Sequence, residues 1–542
     1  MPQNEKPSKT EYLLTVWLAL VLAAFLLLFI WVDFRGFARM ALADMYEDTL
    51  AARLIWEARS LFPRRFLFGN QFYVIATPVF AALFYGLTGS MNTAMALATT
   101  LMTALTLLAM DWMLRPVLKR PWQRLAALLA FVGLLFGPGS VRREEGAQLF
   151  FVMCSYYACY VITGFVVMGD YVRARVSNDR RLPALMLAAF LCFCTGMQSL
   201  RQTCVTILPL LAFECFGALR RALRRAPLFP RERRPLFCRV GVYTAANVLG
   251  IALIKLIHPR QHTIYRGASV FRGSSLQEEL EETRRALSAV TGFDYAVGPF
   301  DPVFFSLMFA CCLLLITAAF LLILRHRKET CGADTCFWLL SVIACLAVIA
   351  ASFFTSVSLR AIYLFPWYTL PALSYVILAG RLKPGQTKAL TLALSVLAAV
   401  NLYFSYYRDV NAILAPDPTP SEEVCQYALD HGFTYVYGNA NFTAPQIAVH
   451  SDGALLAGCW EDECIFKVSP HINIRDIYSL SDYKNAIFVF LPYEMEAALT
   501  ETEGNGAELT FCGEFGQYQV YTSSKQLLYP ITETIDWNPE YN

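Results

Sequence analysis

The sequence predicts a polytopic α-helical membrane protein with about eleven transmembrane helices, outer juxtamembrane helices and a small C-terminal α/β extracytoplasmic domain. Three observations predict this class. Of the 542 residues, 56% are hydrophobic and only 16% are charged, which is more apolar than is typical of a soluble globular protein. Apolar segments of membrane-spanning length recur along residues 1–407. The remaining residues are acidic and alternate helix-like with strand-like stretches.

The first predicted span is the uninterrupted apolar run at residues 12–32, which has about the 20 residues needed to cross a bilayer. Lys6 and Lys9 precede it, and no small-x-small cleavage site follows it. An uncleaved span is therefore predicted rather than a signal peptide. Ten further spans are predicted at residues 92–114, 124–137, 147–169, 183–199, 203–219, 240–257, 302–324, 336–355, 362–379 and 389–407.

The charged linkers predict the orientation of the chain. "RPVLKRPWQR", "VRARVSNDRR" and "RHRK" are strongly basic, which is typical of cytoplasmic loops. With a cytoplasmic N-terminus, these linkers all fall inside only if the apolar segment 73–89 does not cross. That segment is short and carries Pro78, so we expect a helix that lies on, or dips into, the outer face. The outer loops are then residues 33–91 and 258–301, in a multi-pass protein of the cell membrane.

Residues 408–542 are predicted to form the acidic extracytoplasmic α/β domain. This region carries 20 acidic and 5 basic residues, whereas residues 1–407 carry 22 acidic and 40 basic residues. "SEEVCQYALDHG" has the pattern of a helix, and "FTYVYGN", "KNAIFVFLP" and "GQYQVYTS" have the pattern of strands. Cys459 and Cys464 either form a local disulfide or remain thiols.

An acidic turn follows the first span, in "ADMYEDT" at residues 43–49. On a helix, Asp44, Glu47 and Asp48 share one face, where like charges repel. The turn therefore needs neighbouring arginines, a divalent cation such as Mg²⁺ or Mn²⁺ on Asp44 and Asp48, or solvent. A solvated amphipathic helix is the simplest interpretation. The aromatic and basic stretch "LFPRRFLFGNQFYVIATP" that follows instead favours a half-polar chamber at the lipid interface, which suits a substrate with one end in lipid.

The order of these segments resembles the GT-C membrane glycosyltransferases, which include the protein O-mannosyltransferases and the bacterial aminoarabinose transferase. The matching pieces are "ADMYEDTLAARLIWE", "FGNQFYVIATPVFAALFYGLTG" and the span "NTAMALATTLMTALTLLAMDWML". The resemblance covers roughly residues 10–170 well and the later spans in outline. It implies transfer of a sugar from a polyprenyl-phosphate-linked donor to an acceptor on the outer face.

The resemblance also implies roles for individual residues. The catalytic acid falls on Asp44, with Glu47 or Asp48 as helper, although Met45 stands where many members have a second adjacent acid. Arg360 and Tyr363, in "TSVSLRAIYLFPWY", resemble the Arg and Tyr that approach the carrier phosphate.

Three further polar residues are candidates on chemical grounds. Arg201, in the outer turn "GMQSLRQT", is a second candidate for the donor phosphate, because the arginine fork matches phosphate oxygens. The alternative for each arginine is an interfacial side chain that reaches the headgroups. Asn70 and Gln71 are candidates for binding sugar hydroxyls, with helix capping as the alternative for Asn70.

The predicted function is therefore that of a hexosyl- or pentosyltransferase with a lipid-linked donor, membrane lipids as surroundings, and a glycan, lipid or protein as acceptor. No feature predicts nucleic-acid binding. A transporter or flippase of lipid-linked or polar solutes is one alternative, and a non-catalytic envelope protein is another. Charges at the outer rim favour the enzyme, since transporters tend to carry ionisable groups at the midplane.

Overall fold

The computed structural model describes a helical body followed by a sheet domain. The described residues are 8–40, 43–66, 68, 71–134, 157–177, 182–225, 227, 234–257, 276–291, 301–326, 332–354, 359, 361–460, 465–468 and 483–530. The helices of the body are α1 Lys9–Arg35, α2 Ala43–Ala58, α3 Thr77–Thr88, α4 Met91–Leu114, α5 Pro121–Gly133, α6 Ala158–Ser177, α7 Leu182–Gln198, α8 Leu208–Leu223, α9 Arg234–Ile257, α10 Leu276–Thr291, α11 Asp301–Arg325, α12 Ala333–Phe354, α13 Phe365–Arg381, α14 Pro384–Asn401 and α15 Arg408–Ile413.

Within the described residues, seven helical segments are long and apolar enough to cross a membrane. They include α1, α4, α9, α11, α12 and the segments that end in α8 and α13. The other four predicted spans also contain helices, but these helices do not meet the same requirement of length and apolar composition. The reasons are identifiable. The described parts of α5 and α7 are short, α6 carries Asp170, Arg173 and Arg175, and α14 begins with the polar residues "PGQTK". The predicted class of polytopic helical membrane protein is confirmed.

Helix α1 shows how a span is built from this sequence. Ser8 caps its first turn in a capping box with Glu11, which satisfies backbone N–H groups that the helix leaves open. Leu18 and Phe25 are fully buried, and Trp17 Nε1 donates to Ser395 Oγ of α14 at 2.8 Å. Leu13, Leu20 and Leu27 are exposed on the outside of the bundle. In lipid these exposed side chains would face hydrocarbon rather than water.

Helices α2, α3 and α4 pack against one another. Gly86 of α3 lies directly against the Trp56 ring of α2, so that a Cβ at this position would force the ring to move. Helix α3 ends at Gly89, whose φ of 69° is the left-handed conformation that glycine adopts without strain. The helix predicted within residues 73–89 is therefore present. Its placement on the membrane surface stays a prediction, although Leu83 and Leu87 are strongly exposed.

Helices α7 and α9 cross at a backbone-to-backbone contact. A Cβ on Gly196 would collide with the carbonyl of Asn247, and one on Gly250 would collide with the carbonyl of Phe193. Small residues permit this close approach, which is a common way for membrane helices to associate. The crossing fixes the end of α7, directly before the turn that carries Arg201.

The C-terminal domain is a mixed seven-stranded sheet with helices on it. Its strands are β1 Tyr435–Asn439, β2 Leu456–Trp460, β3 Lys467–Val468, β4 Ala486–Phe490, β5 Leu509–Phe515, β6 Tyr518–Ser523 and β7 Tyr529–Pro530, in the order β5-β6-β4-β1-β2-β3-β7. Its helices are α16 Pro420–Asp430, α17 Ala444–His450 and α18 Met495–Gly504.

The core of this domain is the central strand β1, which is parallel to both β2 and β4. The predicted helix and the three predicted strands are present as α16, β1, β4 and β6. Strands β2 and β5 were not predicted. Cys464 lies outside the described residues, so a disulfide with Cys459 stays a prediction.

Candidate functional site

The acidic turn lies on one face of α2, and its innermost carboxyl group is closed off from solvent. Asp44 and Glu47 are half-buried, whereas Asp48 is 0% exposed. Among the described residues, no well-formed hydrogen bond reaches either carboxylate oxygen of Asp48, although the Tyr73 hydroxyl lies close enough to lower the pKa of Asp48. An isolated buried charge costs several kcal/mol. Asp48 therefore needs either a proton or a bound cation.

The surroundings of the turn raise the pKa values of its buried acids. Burial, and then the negative charge of Asp44, raise the pKa of Glu47 to about 8, opposed by Tyr73 and Arg201. Burial, and then the charges of Glu47 and Asp44, hold the pKa of Asp48 well above its usual range. Desolvation and like charges act in the same direction on a carboxyl group. Near neutral pH the carboxyl groups of Glu47 and Asp48 therefore tend to stay protonated.

Tyr73 covers the acidic turn from the following segment of the loop. Its hydroxyl donates to Glu47 Oε1 at 3.3 Å, and its side chain is 1% exposed. The ring centroid lies 6.1 Å from those of both Phe66 and Phe68, so an aromatic cluster fixes its orientation. The sequence analysis did not select Tyr73, because nothing in "FGNQFYV" separates this tyrosine from its aromatic neighbours.

Arg201 joins the loop to the helical body. Its Nη1 donates to Gln71 Oε1 at 2.5 Å. Its guanidinium lies 4.9 Å from the ring centroid of Tyr157 and 5.8 Å from that of Tyr363, within the range of cation–π attraction. The two rings are themselves 6.0 Å apart. Arg201 is only half-buried, so the site holds a partly accessible cation beside two aromatic rings.

Gln198, at the end of α7, ties the loop in place. Its side-chain Oε1 accepts from the backbone N–H groups of Val74 at 3.0 Å and Ile75 at 2.7 Å. Its backbone carbonyl accepts from Phe72 N at 3.0 Å. Gln198 is completely buried, so these bonds replace those that water would otherwise make. They place Gln71 and Tyr73 opposite Arg201. Sequence reasoning missed this residue.

A narrow apolar cleft lies in the helical body, between α6, α8, α12 and α13. Val205 and Phe365 line it, one helical turn beyond Arg201 and two residues beyond Tyr363 in the sequence. Leu340, Phe165 and Val161 are among its mainly apolar lining residues. A cleft of this composition accommodates an alkyl or prenyl chain better than a polar solute.

The structure brings most of the predicted site residues together. Tyr73 contacts Glu47, Arg201 contacts Gln71 and lies beside Tyr363, and the field of Arg201 reaches Glu47. Their predicted roles are not thereby tested. Asn70 and Arg360 lie outside the described residues. In the part of the chain that is described, no group of three or more His, Cys, Asp or Glu side chains has the arrangement of a metal site, and a cation on Asp44 and Asp48 stays a prediction.

No protein-family model and no curated protein sequence matches this chain. Its structure is similar to two solved structures of ArnT from Cupriavidus metallidurans, one bound to undecaprenyl phosphate and one in the apo state. Each gives a TM-score of 0.53 at 14% sequence identity, over 95% of this chain and 98 to 99% of ArnT. ArnT, an aminoarabinose transferase, has the GT-C fold. The chain therefore has a GT-C fold, and the resemblance drawn from the sequence is confirmed at the level of fold.

The raised pKa of Glu47 predicts how stability depends on pH. The folded state binds this proton more tightly than the unfolded state, where the pKa is near 4.5. Stability should therefore fall as pH rises from about 5 to about 9, by at least about 1 kcal/mol. Glu47→Gln should flatten this part of the profile, measured as the thermal unfolding midpoint in detergent at each pH. Glu57→Gln, on the same helix but exposed, serves as the control, and a Glu47→Gln profile as steep as wild type would contradict the assignment.

Proposed function

We propose that the protein is a membrane glycosyltransferase that moves a sugar from a polyprenyl-phosphate-linked donor to an acceptor on the outer face of the membrane. The observation that carries this proposal is a combination of three features. The acidic turn contacts Tyr73, Arg201 lies beside two aromatic rings, and an apolar cleft is lined by Val205 and Phe365, close in sequence to Arg201 and Tyr363. The acidic turn suits the acceptor, Arg201 suits the phosphate of the donor, and the cleft suits its prenyl chain. The GT-C fold, shared with a structure that contains undecaprenyl phosphate, supports the proposal.

Asp44 is the proposed catalytic base. Glycosyl transfer needs a group that accepts the proton of the acceptor hydroxyl, while a carboxylate can stabilise positive charge at the anomeric carbon. Asp44 lies in the first turn of α2, where the helix dipole favours a negative charge. It is also more accessible than the fully buried Asp48. Protons kept on Glu47 and Asp48 would reduce the repulsion that Asp44 experiences, which is the helper role proposed for them.

Arg201 and Tyr363 are the proposed ligands of the donor phosphate. A guanidinium suits this task because its planar fork matches two phosphate oxygens. The charge that develops on the leaving phosphate would then lie next to the arginine, and the first prenyl units would enter the cleft lined by Val205 and Phe365. Arg360, from the sequence, is proposed as a further phosphate ligand. Gln71, and Asn70 beside it, are proposed to contact the sugar.

The orientation proposed from the basic linkers puts this site on the extracytoplasmic side. The N-terminus is then cytoplasmic and the C-terminal domain is extracytoplasmic. The acceptor is a glycan, a lipid or a protein that reaches the outer face, and membrane lipids surround the body of the protein. No nucleic acid takes part.

A transporter or flippase is the second candidate, and one observation favours it. Asp170 forms an ion pair with Arg239, and Glu214 forms one with Arg175, within the helical body. Arg175 is half-buried and the other three residues are buried. Ionisable groups inside a membrane bundle often mark a transport path. Here, however, each of these charges has an opposite charge on a neighbouring helix, as expected for pairs that hold helices together. The second candidate therefore has weaker support than the enzyme.

Asp44→Asn tests the catalytic assignment. We expect turnover at least about 100-fold below wild type, because a positioned base contributes this much or more. The assay supplies a panel of undecaprenyl-phosphate-linked sugars to protein in nanodiscs and measures released undecaprenyl phosphate. Glu57→Gln is the control for expression and folding. Full turnover by Asp44→Asn would remove Asp44 from the mechanism, and movement of the lipid-linked sugar across vesicle membranes without release would favour the transporter.

Arg201→Ala tests the phosphate site. Binding of undecaprenyl phosphate should weaken about tenfold or more, since a hydrogen bond to a charged group contributes about 1.5 to 3 kcal/mol. Arg201→Lys should retain part of the affinity, because it keeps the charge but not the fork. The measurement is a binding titration in nanodiscs, with Arg115→Ala as the control, because Arg115 is an exposed arginine that directly follows α4. Unchanged affinity in Arg201→Ala would place the phosphate elsewhere.

A divalent cation, Mg²⁺ or Mn²⁺, is proposed as an optional partner of Asp44 and Asp48. The donor set fits, since carboxylate oxygens are the ligands that hard cations prefer, and among the described residues the carboxylate oxygens of Asp48 are buried without a well-formed hydrogen bond. When bound, the ion would neutralise the turn and orient oxygen atoms of the substrates.

Adding Mg²⁺ or Mn²⁺ should raise the thermal unfolding midpoint of the wild-type protein, because a ligand that binds only the folded state stabilises it. Asp48→Asn should remove this response, and a chelator should reverse it. Equal midpoints with ion and with chelator in the wild-type protein would show that Asp48 holds a proton instead.

A further inference from the structure

Helix α2 presents two different faces to two different parts of the protein. Asp44, Glu47 and Asp48 lie on one side, towards Tyr73 and Arg201. The other side faces the C-terminal domain and carries Tyr46, Thr49, Leu50 and Arg53, which follow the three- and four-residue spacing of one helix face. Successive residues differ by about 100° around a helix. A small rotation of α2 would therefore change both contacts together.

Two hydrogen bonds join this second face to the C-terminal domain. The hydroxyl of Tyr46 accepts from Ala457 N, in β2, at 2.8 Å. Arg53 Nη1 donates to the carbonyl of Gly453, in the turn before β2, at 2.7 Å. Tyr46 is 4% exposed and Ala457 is 1% exposed, so the first bond is shielded from water. Tyr46 directly precedes Glu47, so its hydrogen bond connects strand β2 to a residue adjacent to the acidic turn.

A narrow groove lies between α2 and the domain, lined by Tyr46, Arg53, Met91, Val449 and Leu455 among others. Apolar contact across a gap contributes little, because its lining atoms lack partners. Tyr46, Arg53 and Gly453 all line this groove, so the two hydrogen bonds join α2 to the domain where the apolar contact is thin.

The domain itself is held on the body at separate points. Asn92, in the first turn of α4, donates from its backbone to Asp452 Oδ1 at 2.7 Å and from its side chain to the carbonyl of Val449 at 3.1 Å. Arg39, directly before α2, pairs with Glu422 of α16 at 2.9 Å. Neither contact involves α2. The domain can thus stay docked while the contacts of Tyr46 and Arg53 are changed.

We propose that the C-terminal domain is a positioning element for the acidic turn, and that Tyr46 and Arg53 are the residues through which it fixes the rotation of α2. The expected effect on the rate of sugar transfer rests on the proposed glycosyltransferase function. The expected effect on the conformational stability of α2 does not depend on that function.

The test uses the full-length protein in nanodiscs and four variants: Tyr46→Phe, Arg53→Ala, Arg53→Lys and Glu57→Gln. Tyr46→Phe removes a single oxygen and keeps the ring. Arg53→Lys keeps a donor for Gly453, whereas Glu57→Gln removes only the exposed partner of Arg53. Amide hydrogen exchange of residues 43–58, binding of undecaprenyl phosphate, and turnover with the donor panel are measured for each variant.

Tyr46→Phe and Arg53→Ala should each speed the exchange of α2 by up to about tenfold, the effect of losing one hydrogen bond. They should lower kcat by a similar factor, with KM for the donor and binding of undecaprenyl phosphate unchanged. Arg53→Lys should keep both the exchange of α2 and kcat close to their wild-type values, and Glu57→Gln should match wild type in both.

Unchanged exchange of α2 in Tyr46→Phe and Arg53→Ala would overturn the proposal, as would a fall in undecaprenyl phosphate binding as large as the fall in kcat. Wild-type protein that neither binds undecaprenyl phosphate nor transfers sugar would instead refute the proposed function. In that event the exchange of α2 still decides whether the domain positions it.

Discussion

Burial of the Asp48 carboxyl group is the constraint on which the rest of the site depends. Three carboxyl groups share one face of α2, and the innermost is fully buried, with no well-formed hydrogen bond to its carboxylate oxygens among the described residues. Left charged and uncompensated, it would cost a large part of the stability of a typical domain. The Tyr73 hydroxyl supplies part of the compensation, since it lowers the pKa of Asp48, while the positive field of Arg201 acts on the neighbouring Glu47. A proton or a cation must supply the remainder.

Support for this arrangement comes from two directions. On one side, Gln198 and Arg201 bind the segment 71–75 and hold Gln71 and Tyr73 in place. On the other, the C-terminal domain contacts the opposite face of α2. Groups whose neighbours are fixed in this way need little reorganisation when charge develops nearby, which is the general advantage of a preorganised site. Helix α2 and the segment 71–75 are thus held between the helical body on one side and the C-terminal domain on the other.

The sequence predicted what depends on local properties. Spans follow from the length and polarity of a segment, and the shared face of Asp44, Glu47 and Asp48 follows from their spacing. Strand β4 follows from its apolar run, β6 from its alternation and β1 from the strand-like stretch before a turn. The contacts that complete the site could not be predicted in this way. Gln198 binds Val74 across 124 residues of sequence, and Arg201 meets Gln71 across 130. Nothing in "GMQSLRQT" distinguishes Gln198 from a capping or solvated glutamine, because its function lies entirely in partners from another segment.

The most direct test of the central claim, that the acidic turn and Arg201 serve one lipid-linked substrate, is an experimental structure of the full-length protein with bound undecaprenyl phosphate. The account predicts a phosphate in contact with Arg201 and Tyr363, a prenyl chain in the cleft beside Val205 and Phe365, and the carboxyl group of Asp44 facing the same chamber. A phosphate bound away from Arg201, or a chamber that Asp44 does not reach, would contradict it.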